Sequence, residues 1–152
     1  MSKKDFLSQT FVAELKKLDP QTPALWGKMN VQQMIEHMSD SIRMANGKDQ
    51  QNLYTSTDQL PVYRSFMLSE KPFRQNTKNA LMGEEPLPLR HGSNSEALHE
   101  LKTEIDDFIA LFENQPGLVM MNPIFGELDF DQWLHLFDKH ARHHLLQFGV
   151  SM

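Results

Sequence analysis

The apolar residues of this chain recur at intervals of three and four, and no stretch of useful length alternates at period two. That rhythm constrains the fold more than any other feature, because 3.6-residue periodicity stacks apolar side chains on one face of an α-helix. The clearest case is Leu98, Leu101, Ile105, Phe108, Ile109 and Phe112. It opens on Ser93 with Glu96 three residues on, a capping-box pattern, and Pro116-Gly117 stops it. Phe6, Leu7, Phe11, Leu15 and Leu18 mark an earlier helix that ends before Pro20. Val31, Met34, Ile35, Met38, Ile42 and Ala45 mark a second, with Asn30 as N-cap, Gln33 at the box position and Asn46-Gly47 as the stop. Asp129, with Gln132 three residues on, caps a last helix reaching about Phe148. The prediction is an all-α chain with helices near 4–18, 30–46, 95–114 and 129–148. Its core should include Met38, Ile42, Leu101, Ile105, Phe108, Phe112, Trp133 and Phe137.

The connections have unequal lengths. Residues 19–28 and 117–128 are short and rich in Pro and Gly, whereas 47–94 is long and holds Pro61, Pro72, Pro86 and Pro88. A structureless link of that length is unusual inside one domain. It reads instead as a crossover between the second and third helices, with a short helix near 62–69 presenting Tyr63, Phe66 and Met67. This pattern suggests a four-helix bundle with one crossover. At 152 residues the chain is long enough for one domain, 1–152, with a real core.

Composition narrows the function. A net charge of −5 and only two Lys-Lys pairs argue against a nucleic-acid partner. No apolar run reaches 18 residues, and the start, Met-Ser-Lys-Lys-Asp, lacks the apolar segment of a signal peptide, so no membrane partner is expected. The absence of cysteine excludes disulfides, thiolate ligands and a cysteine nucleophile, and fits a cytoplasmic location. A small-molecule substrate and, at most, a second copy of the chain are the expected partners. Any metal must be held by nitrogen and oxygen.

The last helix carries Trp133, Phe137, His140, His144 and Phe148 on one stripe, at spacings of 4, 3, 4 and 4. Two histidines on an apolar stripe must be satisfied, either by hydrogen-bonding neighbours or by a shared ion. His135, Asp138, Lys139 and Arg142 fall on the other side, which reads as a solvated face. A catalytic zinc-type site takes three protein ligands and leaves one position open. Of the seven histidines, His99 and His135 lie on polar faces and His91 in a loop, while His143 points about 100° away from His144. Elimination leaves His37, beside Met34 and the small Ser41. Gln147, one turn past His143, is within reach of the same region. Glu36, the neighbouring carboxylate, is expected to face away. Trp26 reads as a packing anchor. Free imidazole chemistry would make metal affinity collapse as pH falls through about 6.5.

Two blocks extend this reading. Leu25-Trp26-Gly27-Lys28-Met29-Asn30-Val31-Gln32-Gln33-Met34-Ile35-Glu36-His37-Met38 resembles the second-helix motif of the DinB/YfiT-like superfamily. The terminal block, Asn122-Pro123-Ile124-Phe125-Gly126-Glu127-Leu128, then Trp133, then His140-Ala141-Arg142-His143-His144-Leu145-Leu146-Gln147-Phe148, resembles that superfamily too, closest to a branch without assigned function. The resemblance implies a four-helix bundle whose second and third helices run parallel, and a divalent metal, zinc or nickel, held by His37, His140 and His144. Members of known activity are transferases or isomerases that use a low-molecular-weight thiol such as bacillithiol or mycothiol. The resemblance therefore implies a metal-dependent S-transferase; the chemistry of a three-histidine site leaves a metallohydrolase or a non-enzymatic metal-binding module as alternatives. Met34, Ser41, Trp133 and Gln147 are the expected pocket residues around the ion.

Overall fold

A computed structural model describes residues 1–75 and 85–152. In chain order the elements are α1 (residues 3–17), α2 (Val31–Ala45), α3 (Leu60–Leu68), α4 (Asn94–Asn114), β1 (Met120–Asn122), β2 (Gly126–Leu128) and α5 (Phe130–Gln147). The chain is mostly helical, as its periodicity requires, and the four long helices fall within about two residues of the expected bounds. Residues 76–84 of the expected crossover lie outside the described residues.

The helix ends follow from their caps. Asn30 Oδ1 accepts from Gln33 N at 2.8 Å while Gln33 Oε1 accepts from Asn30 N at 2.9 Å. Asp129 and Gln132 make the same reciprocal pair at 2.9 and 3.0 Å. The third expected box is only half formed. Ser93 Oγ accepts from Glu96 N, but the Glu96 carboxylate turns back to Gly92 N instead. Helix α1 holds a π-helical segment, Phe6–Phe11, between α-helical turns. Residues five apart come nearly into register in a π turn. Phe6 and Phe11 therefore share the buried side with Leu7 and Leu15, their ring centroids 6.3 Å apart.

The connection 117–128 is more ordered than its Pro and Gly content suggested. It contains a three-residue antiparallel ladder, Met120 opposite Leu128 through Asn122 opposite Gly126. Asn122 Oδ1 accepts from the amides of Ile124 and Phe125, and Gly126 takes φ +84°, a backbone that side chains disfavour. A tight turn results, and a turn is what lets two such short strands pair.

The hairpin and α5 together hold the crossover. Tyr54 N and Thr55 N donate to Pro123 O, and Arg64 Nη1 donates to the carbonyls of Phe125 and Glu127 at 2.7 and 2.8 Å. Where α3 ends, Lys139 Nζ donates to the carbonyls of Phe66, Met67 and Ser69 at 2.9, 3.2 and 3.3 Å. An ammonium has three donors, and the end of a helix offers unpaired carbonyls at its negative pole. His135 Nε2 adds a bond to Ser69 O at 2.9 Å and its Nδ1 meets Lys3 Nζ at 2.8 Å. His135 and Lys139 were expected on a solvated face; both are 8% exposed because α3 and the segment after it cover them. On the other side, Glu36 accepts from the amides of Arg90 and His91 and from Gln32 Nε2.

The core forms as predicted: Met38, Ile42, Leu101, Ile105, Phe108, Trp133 and Phe137 are at most 1% exposed, and Phe112 is 6%. Helix α2 packs chiefly along α4. Between them the buried Glu104 carboxylate takes Arg43, Asn46 and Lys48. Phe108 sits 5.3 Å from the rings of Phe112, Phe130 and Phe137. Phe108→Ala should therefore cost about 3–5 kcal/mol in denaturant unfolding, through lost burial and an incompletely refilled cavity. A loss below about half a kilocalorie would contradict this packing.

Candidate metal centre

Helix α5 sets His140 and His144 one turn apart, and α2 brings His37 to them from across the interface. His37 Nε2 and His144 Nε2 each lie 3.0 Å from His140 Nε2. One ligand atom from each of the three falls within 4.8 Å of the others. Two nitrogens about 2.1 Å from one ion stand roughly 3.0 Å apart at a right angle and 3.4 Å apart at the tetrahedral angle. The His37–His140 and His140–His144 separations are thus those of neighbouring ligands, and these three residues can hold a metal ion.

Protonation supports this. Burial, as the largest cause, drives the His37 pKa down to about 4 and the His144 pKa to about 3, and drives His140 well below its ordinary value. The neighbouring imidazoles push in the same direction, since three cations cannot share one apolar site. At neutral pH all three rings are uncharged, which is the form that ligates.

Gln147 decides which nitrogen of His144 is available. Its Nε2 donates to Trp26 O at 3.0 Å, which leaves Oε1 toward His144 Nδ1 at 2.8 Å. An amide oxygen can only accept, so Nδ1 carries the hydrogen and Nε2 presents its lone pair to the triangle. The carbonyl of Gln147 also accepts from Leu25 N at 2.7 Å. One residue therefore orients a ligand and clips the α1–α2 connection to the end of α5.

The other expected pocket residues are Met34, Trp133 and Ser41. Met34 and Trp133 are 0% exposed, so no water-sized void touches them. They belong to the sealed core instead of lining an opening. Ser41 Oγ donates to His37 O at 3.1 Å, committing its hydrogen to the helix backbone. Glu36 faces the 90–91 segment, away from the triangle, as expected. His99 is exposed, and His91 lies in its loop with Nε2 2.8 Å from Glu100. His143 stays out of the triangle; its ring stands 5.1 Å from His144 and 5.4 Å from Trp26.

Sequence reasoning missed Phe73 altogether and undervalued Trp26. Phe73 follows Pro72 in a connection with no periodicity, so nothing in the local pattern marks it. Its ring nonetheless lies 6.4 Å from His140.

Gln147→Ala should weaken metal binding about 10–100-fold in a chelator-competition titration, because His144 loses the partner that fixes its tautomer. Unchanged affinity would remove Gln147 from the centre. The pH response follows from the lowered pKa values. Unfolded histidines protonate near 6.5, whereas folded His37 and His144 hold out to about 4 and about 3. Below pH 6.5 the unfolded chain binds more protons than the native one, so stability is full above that pH and is lost as pH falls. The urea midpoint of the metal-free protein should drop between pH 6.5 and 4, less steeply when His37 and His144 are both Gln; equal slopes would refute the assignment. Proton competition with metal should likewise begin well below the pH 6.5 expected of free imidazole.

The chain finds no match among family models, curated proteins or solved structures.

Proposed function

We propose that this protein is a divalent-metal-dependent enzyme that transfers a group to or from a small thiol. We further propose that its long helices form a four-helix bundle of the DinB/YfiT-like kind. The observation that carries the reading is the Nε2 triangle of His37, His140 and His144, with His144 held in its ligating tautomer by Gln147. Bound there, a divalent cation such as zinc or nickel would act as a Lewis acid that lowers the pKa of a thiol or a water at its open position. The chain's own part is to hold three uncharged nitrogens in a water-poor site. Such a donor set leaves the full positive charge uncompensated and so favours an anionic fourth partner. A thiolate suits zinc or nickel among nitrogen ligands. It also asks no nucleophile of a chain that has no cysteine. The two histidine-bearing blocks resemble the DinB/YfiT-like superfamily, whose members of known activity use such thiols, and this points the same way.

Hydrolysis is less well supported. It calls for a general base beside the water, and Glu36, the carboxylate next to His37, is committed to the amides of Arg90 and His91.

Cobalt in place of the native metal separates the two readings. Titration with bacillithiol, mycothiol or glutathione should raise a saturable sulfur-to-cobalt charge-transfer band with one of them. If no thiol perturbs the cobalt spectrum while acetate or hydroxide does, the transferase reading is wrong and hydrolysis takes its place.

A further inference from the structure

Three aromatic rings from three segments stand beside the histidine triangle without joining it. Trp26 comes from the α1–α2 connection, Phe73 from the segment after α3, and His143 from α5. Trp26 meets His143 at 5.4 Å and 61°. Phe73 lies 6.3 Å from His143 and 6.4 Å from His140, nearly perpendicular to both at 88° and 89°. The rings thus make a continuous arc along the His140–His144 side of the triangle, and each is half-exposed.

The arc is anchored from several sides. Gln147 holds the carbonyl of Trp26. Lys139 Nζ, 5.0 Å from the Phe73 centroid, pins the end of α3 that leads to it. Because that ammonium already serves three carbonyls, it is not offered to an anionic tail. The surface beside the triangle is therefore aromatic, and the Lys139 ammonium next to it is already committed. Rings held in place lose little freedom when a ligand covers them, and they reward a flat partner with stacked or edge-to-face contacts.

We propose that Trp26, His143 and Phe73 form the specificity surface of the metal centre. A ligand whose anionic head reaches the ion would lay a flat aromatic group against this arc. This inference rests on the metal-dependent reading above and names the class of compound the site selects.

The test uses the full-length, cobalt-loaded chain and two probes with the same metal-binding head, acetohydroxamate and benzohydroxamate, followed by the visible cobalt spectrum. Benzohydroxamate should bind about tenfold more tightly than acetohydroxamate, the scale expected for one good aromatic contact plus its burial. The ratio should fall toward one in Phe73→Ala and in Trp26→Ala, and stay intermediate in Phe73→Leu, which keeps apolar bulk without the ring. The ratio carries the result, so a general loosening of the site cancels. Equal affinities in the parent chain, or a preference that survives both alanine variants, would overturn the proposal while leaving the metal centre standing. Failure of the chain to take up cobalt would overturn the metal-dependent reading itself, and this inference with it.

Discussion

Helix α5 is buried around most of its circumference, and the crossover and the α1–α2 connection are placed by how they cover that helix. Trp133, Leu134, Leu136, Phe137, Ala141 and Leu145 bury apolar surface, but His135, Lys139, His144 and Gln147 are buried as well. A polar group cannot leave water without a partner, so each of these four dictates what must stand opposite it. Lys139 and His135 require the carbonyl end of α3; Gln147 requires the backbone at Leu25 and Trp26. The crossover and the α1–α2 connection are thereby fixed by the hydrogen-bonding needs of one helix.

The same logic governs the acidic side chains within the fold. Glu36 and Glu104 are 5% and 2% exposed. A carboxylate cannot be buried cheaply without partners, and each receives several donors from a different segment. Glu36 collects the backbone amides of the crossover's return, and Glu104 collects Arg43, Asn46 and Lys48 from the α2 side. Leaving either without its donors would expose a full desolvation cost.

At the histidine triangle, burial and neighbouring rings pull the same way, and the result is three neutral imidazoles with converging nitrogens. Only His144 was recoverable from one helix's stripe together with its supporting residue, because Gln147 lies one turn beyond it on α5. His37 came by eliminating the other histidines, since the remaining four have visible alternatives (a loop, a polar face, or the wrong side of the helix), and the structure brings it beside His140. One of those alternatives was misassigned. His135 is buried, but it is bonded to Ser69 O and Lys3, so the elimination survived the error. The aromatic arc was invisible to such reasoning, since Phe73 and Trp26 sit in connections where no periodicity says which way a ring points.

What the sequence determined by itself was local: helices, because apolar spacing and reciprocal caps are set by residues within a turn or two of one another; the apolar core, because those stripes have nowhere else to go; and the pairing of His140 with His144, because four residues make one turn. Tertiary structure decided whatever depended on covering a face. It buried Lys139 and His135 where periodicity alone promised solvent, and set Phe73 beside His140. The physical reason is that periodicity tells which side of a helix is apolar, whereas the fate of its polar side depends on what a distant segment lays across it.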